Sequence, residues 1–267
     1  MHSNRRDFLK KTGTYISVGT MTSLAGLNPD FAVHRTIQTS KGKDLEKIKA
    51  LLERKKPNIW LFTGDSITHG AKHTHGYRSY PEVFQERIRW EIGRVRDVII
   101  NTGISGNAAS NILSDFEWRI QQFNPHVVSI MIGTNDCARE GMSPDQFKKN
   151  VERLINRIRD IGAIPVLHTP NVIILDKSPK RKTLPNYIPA LRSLAEEVDI
   201  VLIDNYQHWE EAMQRDSEKI VFKNWLNDPL HPNQFGHQEI ARVMFRKFGI
   251  FDPSAATCGG EYYEGEH

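Results

Sequence analysis

The chain has 267 residues, long for a minimal domain and ordinary for one α/β enzyme domain with its own core. An apolar fraction of 39% and a charged fraction of 25% exclude a disordered chain. Of the formal charge of +4, three units gather at the start, where Arg5, Arg6, Lys10 and Lys11 face only Asp7; the nearly neutral remainder has no basic stripe, which argues against a nucleic-acid partner.

In chain order, Asn4-Arg5-Arg6-Asp7-Phe8-Leu9-Lys10-Lys11 resembles the twin-arginine export pattern. A mildly apolar segment to Leu27 follows, with Ser23-Leu24-Ala25 as a small-residue cleavage site. It is too short and too polar for a permanent membrane span. Residues 1–27 are therefore expected to be a signal peptide and the mature protein periplasmic or secreted, with no integral membrane segment. Residues 28–57 read as a linker leading into an amphipathic helix from Asp44 to Arg54, with Leu45, Ile48, Leu51 and Leu52 on one face.

From residue 58 to 250 strand and helix patterns alternate as one domain, and 251–267 read as a tail. Runs rich in Val, Ile and Leu at Ile59–Phe62, Val98–Ile100, Val127–Ile132, Ile164–Leu167 and Ile200–Ile203 predict strands covered on both faces. Between them lies a clear helix. Ser143 suits its N-cap, Pro144 its first position, Gln146 a capping box and Gly162 its end. Phe147, Val151, Leu154, Ile155 and Ile158 form its apolar face. Weaker helical patterns cover Tyr80–Ile92, Ala109–Phe123, Tyr187–Val198 and Gln234–Phe248. Strands separated by helices imply right-handed crossovers and a parallel sheet. Cys137 and Cys258 permit a disulfide without requiring one, since Cys258 falls in a Gly- and Glu-rich tail that reads as loosely held.

Four short motifs carry the chemistry: Gly64-Asp65-Ser66, Ser105-Gly106-Asn107, Gly133-Thr134-Asn135-Asp136 and Asp228-Pro229-Leu230-His231-Pro232. The first three each follow a predicted strand and so converge on one sheet edge, where ligands of open α/β sheets bind. Ser66 is the candidate nucleophile, His231 the candidate acid–base group and Asp228 the carboxylate that orients it. The Ser66 N–H, Gly106 and the Asn135 amide are candidate oxyanion donors. Each motif has a plainer reading. Gly-Asp-Ser suits a helix N-cap, Gly-x-Asn-Asp a turn after a strand, and Asp-Pro followed by His a turn before a helix. Asp65 and Asp136 are expected to brace their loops, and His168 and His237 to be structural or surface residues. His69, His73 and His75 lie close in sequence without a ligand spacing, and read as lining a substrate mouth rather than a metal site. Trp225 is either a sugar-stacking platform or a core residue.

This set of four blocks resembles the SGNH (GDSL) hydrolase superfamily, from about residue 58 to 248, and departs from it at none of them. The resemblance implies a three-layer α/β/α sandwich with a five-stranded parallel sheet (flavodoxin-like), ester-cleaving activity, and no cofactor or metal. It fixes the chemistry better than the substrate. The leading expectation is an exported serine esterase that removes small acyl groups, acetyl first among them, from carbohydrates. A lysophospholipase or thioesterase is the alternative enzyme, and a non-catalytic carbohydrate-binding protein the alternative of another class.

Overall fold

The apolar runs assemble as one sheet because each is too apolar to leave either face in water. The computed structural model describes residues 42–262, all within one compact unit from Thr39 to His267. The segment read as a signal peptide lies outside them, as does all of the linker before residue 42. Strands β1 (Ile59–Gly64), β2 (Val98–Asn101), β3 (Val127–Met131), β4 (Ile164–His168) and β5 (Val201–Ile203) pair in parallel in the order β2-β1-β3-β4-β5. Leu61 stands opposite Ile100 on one side and Val128 on the other, and Gly64 opposite Met131.

Helix α1 (Lys43–Glu53) precedes β1. The crossovers carry α2 (Ser66–His69) and α3 (Tyr80–Glu86), then α4 (Ala109–Ser114) and α5 (Phe116–Arg119), then α6 (Pro144–Asp160), then α7 (Ile188–Glu197). After β5 come α8 (Asn205–Asp216), α9 (Glu218–Trp225) and α10 (Gln234–Phe248). Alternate strand residues face opposite ways. Leu61, Val128, Ile130 and Leu167 pack with Ile112, Phe116, Phe147 and Leu191 on one face. Trp60, Phe62, Met131 and Val166 pack with Ile48, Phe84, Met244 and Phe245 on the other. The result is the expected α/β/α sandwich. Among the described residues no helix is long and apolar enough to cross a membrane.

The structure departs from the sequence expectations where tertiary anchors outweigh local pattern. β2 is an edge strand, with Val98 and Asn101 exposed, rather than a strand covered on both faces. The helix expected over Tyr80–Ile92 widens after Glu86 into a π segment, Arg87–Glu91. There the Arg87 guanidinium is fixed on Ile250 O (2.9 and 2.7 Å) and Glu91 (3.0 Å). The helix expected over Ala109–Phe123 breaks at Asp115 and Ile120. Ser143 accepts from Gln146 N (3.1 Å), but the Gln146 side chain donates to Asn150 (3.3 Å), so only half of that capping box forms. α8 and α9 were not foreseen; Asp204, whose side chain accepts from Gln207 N (3.1 Å), caps the first of them.

Cys137 and Cys258 are free thiols, buried in the cores on opposite faces of the sheet. The segment around Cys258, expected to be loose, is packed, with Thr257 N donating to Glu91 Oε1 at 2.9 Å.

Gly64 ends β1 because nothing larger fits: a Cβ there meets Met131 O at 2.3 Å and Thr68 Oγ1 at 2.4 Å. Gly64→Ala is expected to cost about 2–3 kcal/mol through overpacking. In a chain of this size that lowers Tm by about 5–10 °C, read by thermal melting; an unchanged Tm would mean that β1 and β3 can part there freely.

Candidate active site

β1 delivers Ser66 to the carboxyl edge of the sheet. Asp65 is the N-cap of α2, its Oδ1 accepting from Ile67 N at 3.0 Å, and Ser66 is the first helical residue. Gly-Asp-Ser therefore forms a helix N-cap and at the same time presents Ser66, the candidate nucleophile, at the carboxyl end of β1. At that position the Ser66 N–H has no intrahelical acceptor, so it is available to a developing negative charge.

His231 and Asp228 lie in a closed loop before α10. Asn227 N donates to His231 O (2.9 Å), Leu226 bridges Pro232, and Asn233 caps α10 by accepting from Phe235 N (2.9 Å) and Gly236 N (3.1 Å). Within this loop Asp228 Oδ1 accepts the N–H groups of Leu230 and His231, both at 2.8 Å. Its Oδ2 lies 2.8 Å from His231 Nδ1, and His231 Nε2 lies 2.9 Å from Ser66 Oγ. Partial burial pushes the Asp228 carboxyl up, but the His231 backbone and ring and the Leu230 N–H outweigh it and hold the group below its ordinary value. An ionised carboxylate only accepts, so Nδ1 carries the imidazole proton and Nε2 is left to accept from the Ser66 hydroxyl. Three side chains that begin and end 165 residues apart thus form one relay.

The second and third motifs meet beside Ser66's strand. Gly106 sits at the third position of the Ile104–Asn107 turn with φ +83°, a conformation that favours glycine, and is exposed. Asn135 is nearly buried and donates from Nδ2 to Asn107 O at 3.1 Å, which joins the two loops. Its Oδ1 accepts from Arg181 Nη2 at 2.7 Å. An NH₂ group has two hydrogens, so one remains for a ligand.

Buried ionisable groups surround the relay. Burial pushes Asp65 up to about 7, against the Ile67 hydrogen bond, with the Asp136 charge adding to the rise. Burial also pushes Asp136 up to about 6, although its Oδ1 accepts from Ala109 N at 2.9 Å. Asp136 thus braces the start of α4 as well as its own loop. His168 and His237 are fully buried and pulled down to about 3, chiefly by desolvation. His168 Nε2 pairs with Ser129 Oγ (2.7 Å), and His237 Nδ1 accepts from Tyr80 N (3.2 Å).

The three close histidines go to different places. His69 Nδ1 lies 3.1 Å from Ser105 Oγ, next to Gly106, and His75 is exposed. His73 stacks on His231 with ring centroids 3.6 Å apart and planes 12° from parallel, and Asn227 Nδ2 holds its backbone carbonyl at 2.6 Å. His73, Asp228 and His231 offer ligand atoms within 4.8 Å of one another. Imidazole lone pairs lie in the ring plane, so two near-parallel stacked rings cannot aim them at one ion without turning. Trp225 is half-buried, edge-on to Trp209 at 5.0 Å and stacked on His208 at 5.7 Å.

Sequence reasoning missed Arg119, Arg181 and the place of His73. For Arg119 there was a signal, because its spacing from Ile112 and Phe116 puts a charge on the apolar stripe. For Arg181 there was none, and for His73 only its reading as lining a substrate mouth, since their partners lie on other loops.

A family model described as the GDSL-like lipase/acylhydrolase family matches residues 62–239. Among curated proteins, the acetylxylan esterase of Geobacillus stearothermophilus is 27% identical over 209 residues, 71% of this chain and 93% of that protein. The thioesterase 1/protease 1/lysophospholipase L1 of Escherichia coli K12 is 23% identical over 189 residues, 70% of this chain and 81% of that one. The crystal structure of Axe2, an acetylxylan esterase from G. stearothermophilus, superposes with a TM-score of 0.60 at 23% identity, covering 72% of this chain and 94% of that one. Catalytic mutants of Axe2 replace a serine, a histidine or an aspartate.

The Asp65 carboxyl yields a prediction about stability. With a folded value of about 7 against an ordinary 3.8, its contribution to folding is full below about pH 4 and is lost as pH rises to about 7. Asp65→Asn keeps an acceptor for Ile67 N and removes the ionisation. The Tm of the variant relative to the parent should therefore climb from pH 4 to pH 7 and level off above it. A pH-independent difference would show that Asp65 is ionised in the folded protein throughout.

Proposed function

The chain belongs to the GDSL-like lipase/acylhydrolase family and is a carboxylic ester hydrolase, and from this premise we propose that it is an exported serine esterase that removes acetyl groups from carbohydrates. The observation that carries the mechanism is the continuous relay from Asp228 through His231 to Ser66, at 2.8 and 2.9 Å. Ser66 Oγ attacks the ester carbonyl carbon while His231 Nε2 takes its proton, and Asp228 stabilises the imidazolium. The carbonyl oxygen becomes an oxyanion held by the N–H groups of Ser66 and Gly106 and by the Asn135 amide. Collapse expels the sugar alkoxide, which leaves with the proton from His231. Water, deprotonated by His231, then cleaves the acyl-serine, releasing acetate and restoring the Ser66 hydroxyl.

The acetyl and carbohydrate parts of the proposal draw on the similarity to an acetylxylan esterase over nearly its whole length. Arg5-Arg6 ahead of an apolar run supports export, which is where a polymer would be met. The similarity to a thioesterase and lysophospholipase keeps a longer acyl group as the second reading. A p-nitrophenyl ester series from acetyl to octanoyl, run beside acetylated xylan, pectin and sialic acid, separates the two. A maximum at acetyl with release from a glycan supports the first, and a maximum at octanoyl overturns it.

Three further outcomes are expected. Ser66→Ala should abolish p-nitrophenyl acetate hydrolysis in a folded protein. Asn135→Ala should lower kcat by roughly 10²–10³-fold with little change in KM, because its contact forms mainly in the transition state. Comparable turnover in folded Ser66→Ala would end the serine-nucleophile reading. In cells, the Arg5→Lys, Arg6→Lys double variant should stay in the cytoplasm, while the parent is recovered outside it with a mature N-terminus near residues 25–30; normal export of the variant would argue for another route.

A further inference from the structure

We propose that Arg181 is a positioning residue for ester hydrolysis, whose guanidinium orients and polarises the Asn135 amide that meets the oxyanion. The inference rests on the oxyanion role given to Asn135 above. Arg181 ends a short 3₁₀ turn, Pro179–Arg181, in the connection between β4 and α7, 46 residues beyond Asn135. One edge of its guanidinium spans two consecutive residues of the Gly133–Asp136 motif, with Nε donating to Thr134 O at 3.0 Å and Nη2 to Asn135 Oδ1 at 2.7 Å. A guanidinium has five N–H donors and no acceptor. The amide therefore turns its oxygen to Arg181 and its NH₂ away, toward Asn107 O at 3.1 Å. Without the arginine, only the Asn107 carbonyl opposes a half-turn of the amide, which would present an oxygen to the oxyanion and repel it.

The same contact strengthens the donor. A cation at Oδ1 favours the amide resonance form with negative oxygen and positive nitrogen, so the Nδ2 hydrogens become better donors to a developing negative charge. The positive charge also reaches Asp65. There burial is the dominant influence and raises the carboxyl, while Arg181 works in the opposite direction. Lysine is a poor substitute, because a single ammonium cannot reproduce the two-point fork on adjacent residues.

The test measures kcat and KM for p-nitrophenyl acetate in Arg181→Gln, Arg181→Lys, Asn135→Ala and the Arg181→Gln/Asn135→Ala double variant, each checked for folding by thermal melting. Arg181→Gln is expected to lower kcat roughly 10- to 30-fold with KM within about twofold, and Arg181→Lys to fall between it and the parent. In the Asn135→Ala background the same substitution should cost less than about twofold, because the group it acts through is gone. A merely structural arginine would impair both backgrounds equally. The proposal is overturned if Arg181→Gln keeps the parental kcat while Asn135→Ala is impaired, or if its loss is undiminished in the double variant; in both cases the ester hydrolase reading stands. Full activity of Asn135→Ala would remove the oxyanion role itself, and the proposal with it.

Discussion

One buried guanidinium holds the carboxyl end of the sheet together. Arg119 is fully buried, and all its acceptors are neutral oxygens: Thr63 Oγ1 and Gly64 O at 3.1 Å, Thr102 O at 2.7 Å, and Asn107 Oδ1 at 2.6 Å. Burying a charge costs several kcal/mol unless hydrogen bonds replace its water. Here the replacements come from the last two residues of β1, the turn after β2, and the loop carrying Gly106. Desolvation pushes the Arg119 value down, yet an arginine stays protonated. The clamp therefore fixes, relative to one another, the segments that carry Ser66 and Gly106.

The site lies where the topology leaves room for it. From β1 the chain moves outward to β2, and then returns past β1 to β3, so the connections after β1 and β3 leave the sheet in opposite directions. A crevice opens between two such strands at their carboxyl ends. Ser66 follows β1 and Asn135 follows β3, on either side of that crevice. The two cores, one on each face of the sheet, supply the rigidity, and the residues beyond the strand ends are held by local caps and cross-loop bonds. His73 belongs to this arrangement: tied to Asn227, it closes one face of the His231 ring and limits the ways that ring can turn.

The charge balance around Ser66 suits an anionic transition state. Full negative charge on both Asp65 and Asp136 near Ser66 would oppose an oxyanion formed there. Burial raises both carboxyls, to about 7 and about 6, and so reduces that opposition near neutral pH. Arg181 adds positive charge on the donor side, and the neutral histidines His168 and His237 add none. The ionised carboxylate of the relay, Asp228, is more exposed and is held down by N–H groups and the His231 ring. Carboxyl groups in one small region are thus pushed in opposite directions because their surroundings differ in water access and donors.

By itself the sequence determined the sheet, its five strands and the four chemical motifs, because these depend on periodicity, strand-end position and residue chemistry within short windows. Ser66, Asp228 and His231 were legible for that reason: each needs only its own neighbours to be noticed. The helix boundaries at Glu86, Asp115 and Ile120, the edge position of β2 and the burial of Cys258 were decided by tertiary anchors, which outweigh weak local propensities. Arg181, Asn227 and the stacking of His73 on His231 became visible only in three dimensions, since each depends on a partner on another loop. A short pattern can specify which group does the chemistry, while the orientation of that group is set by contacts between segments that only folding brings together.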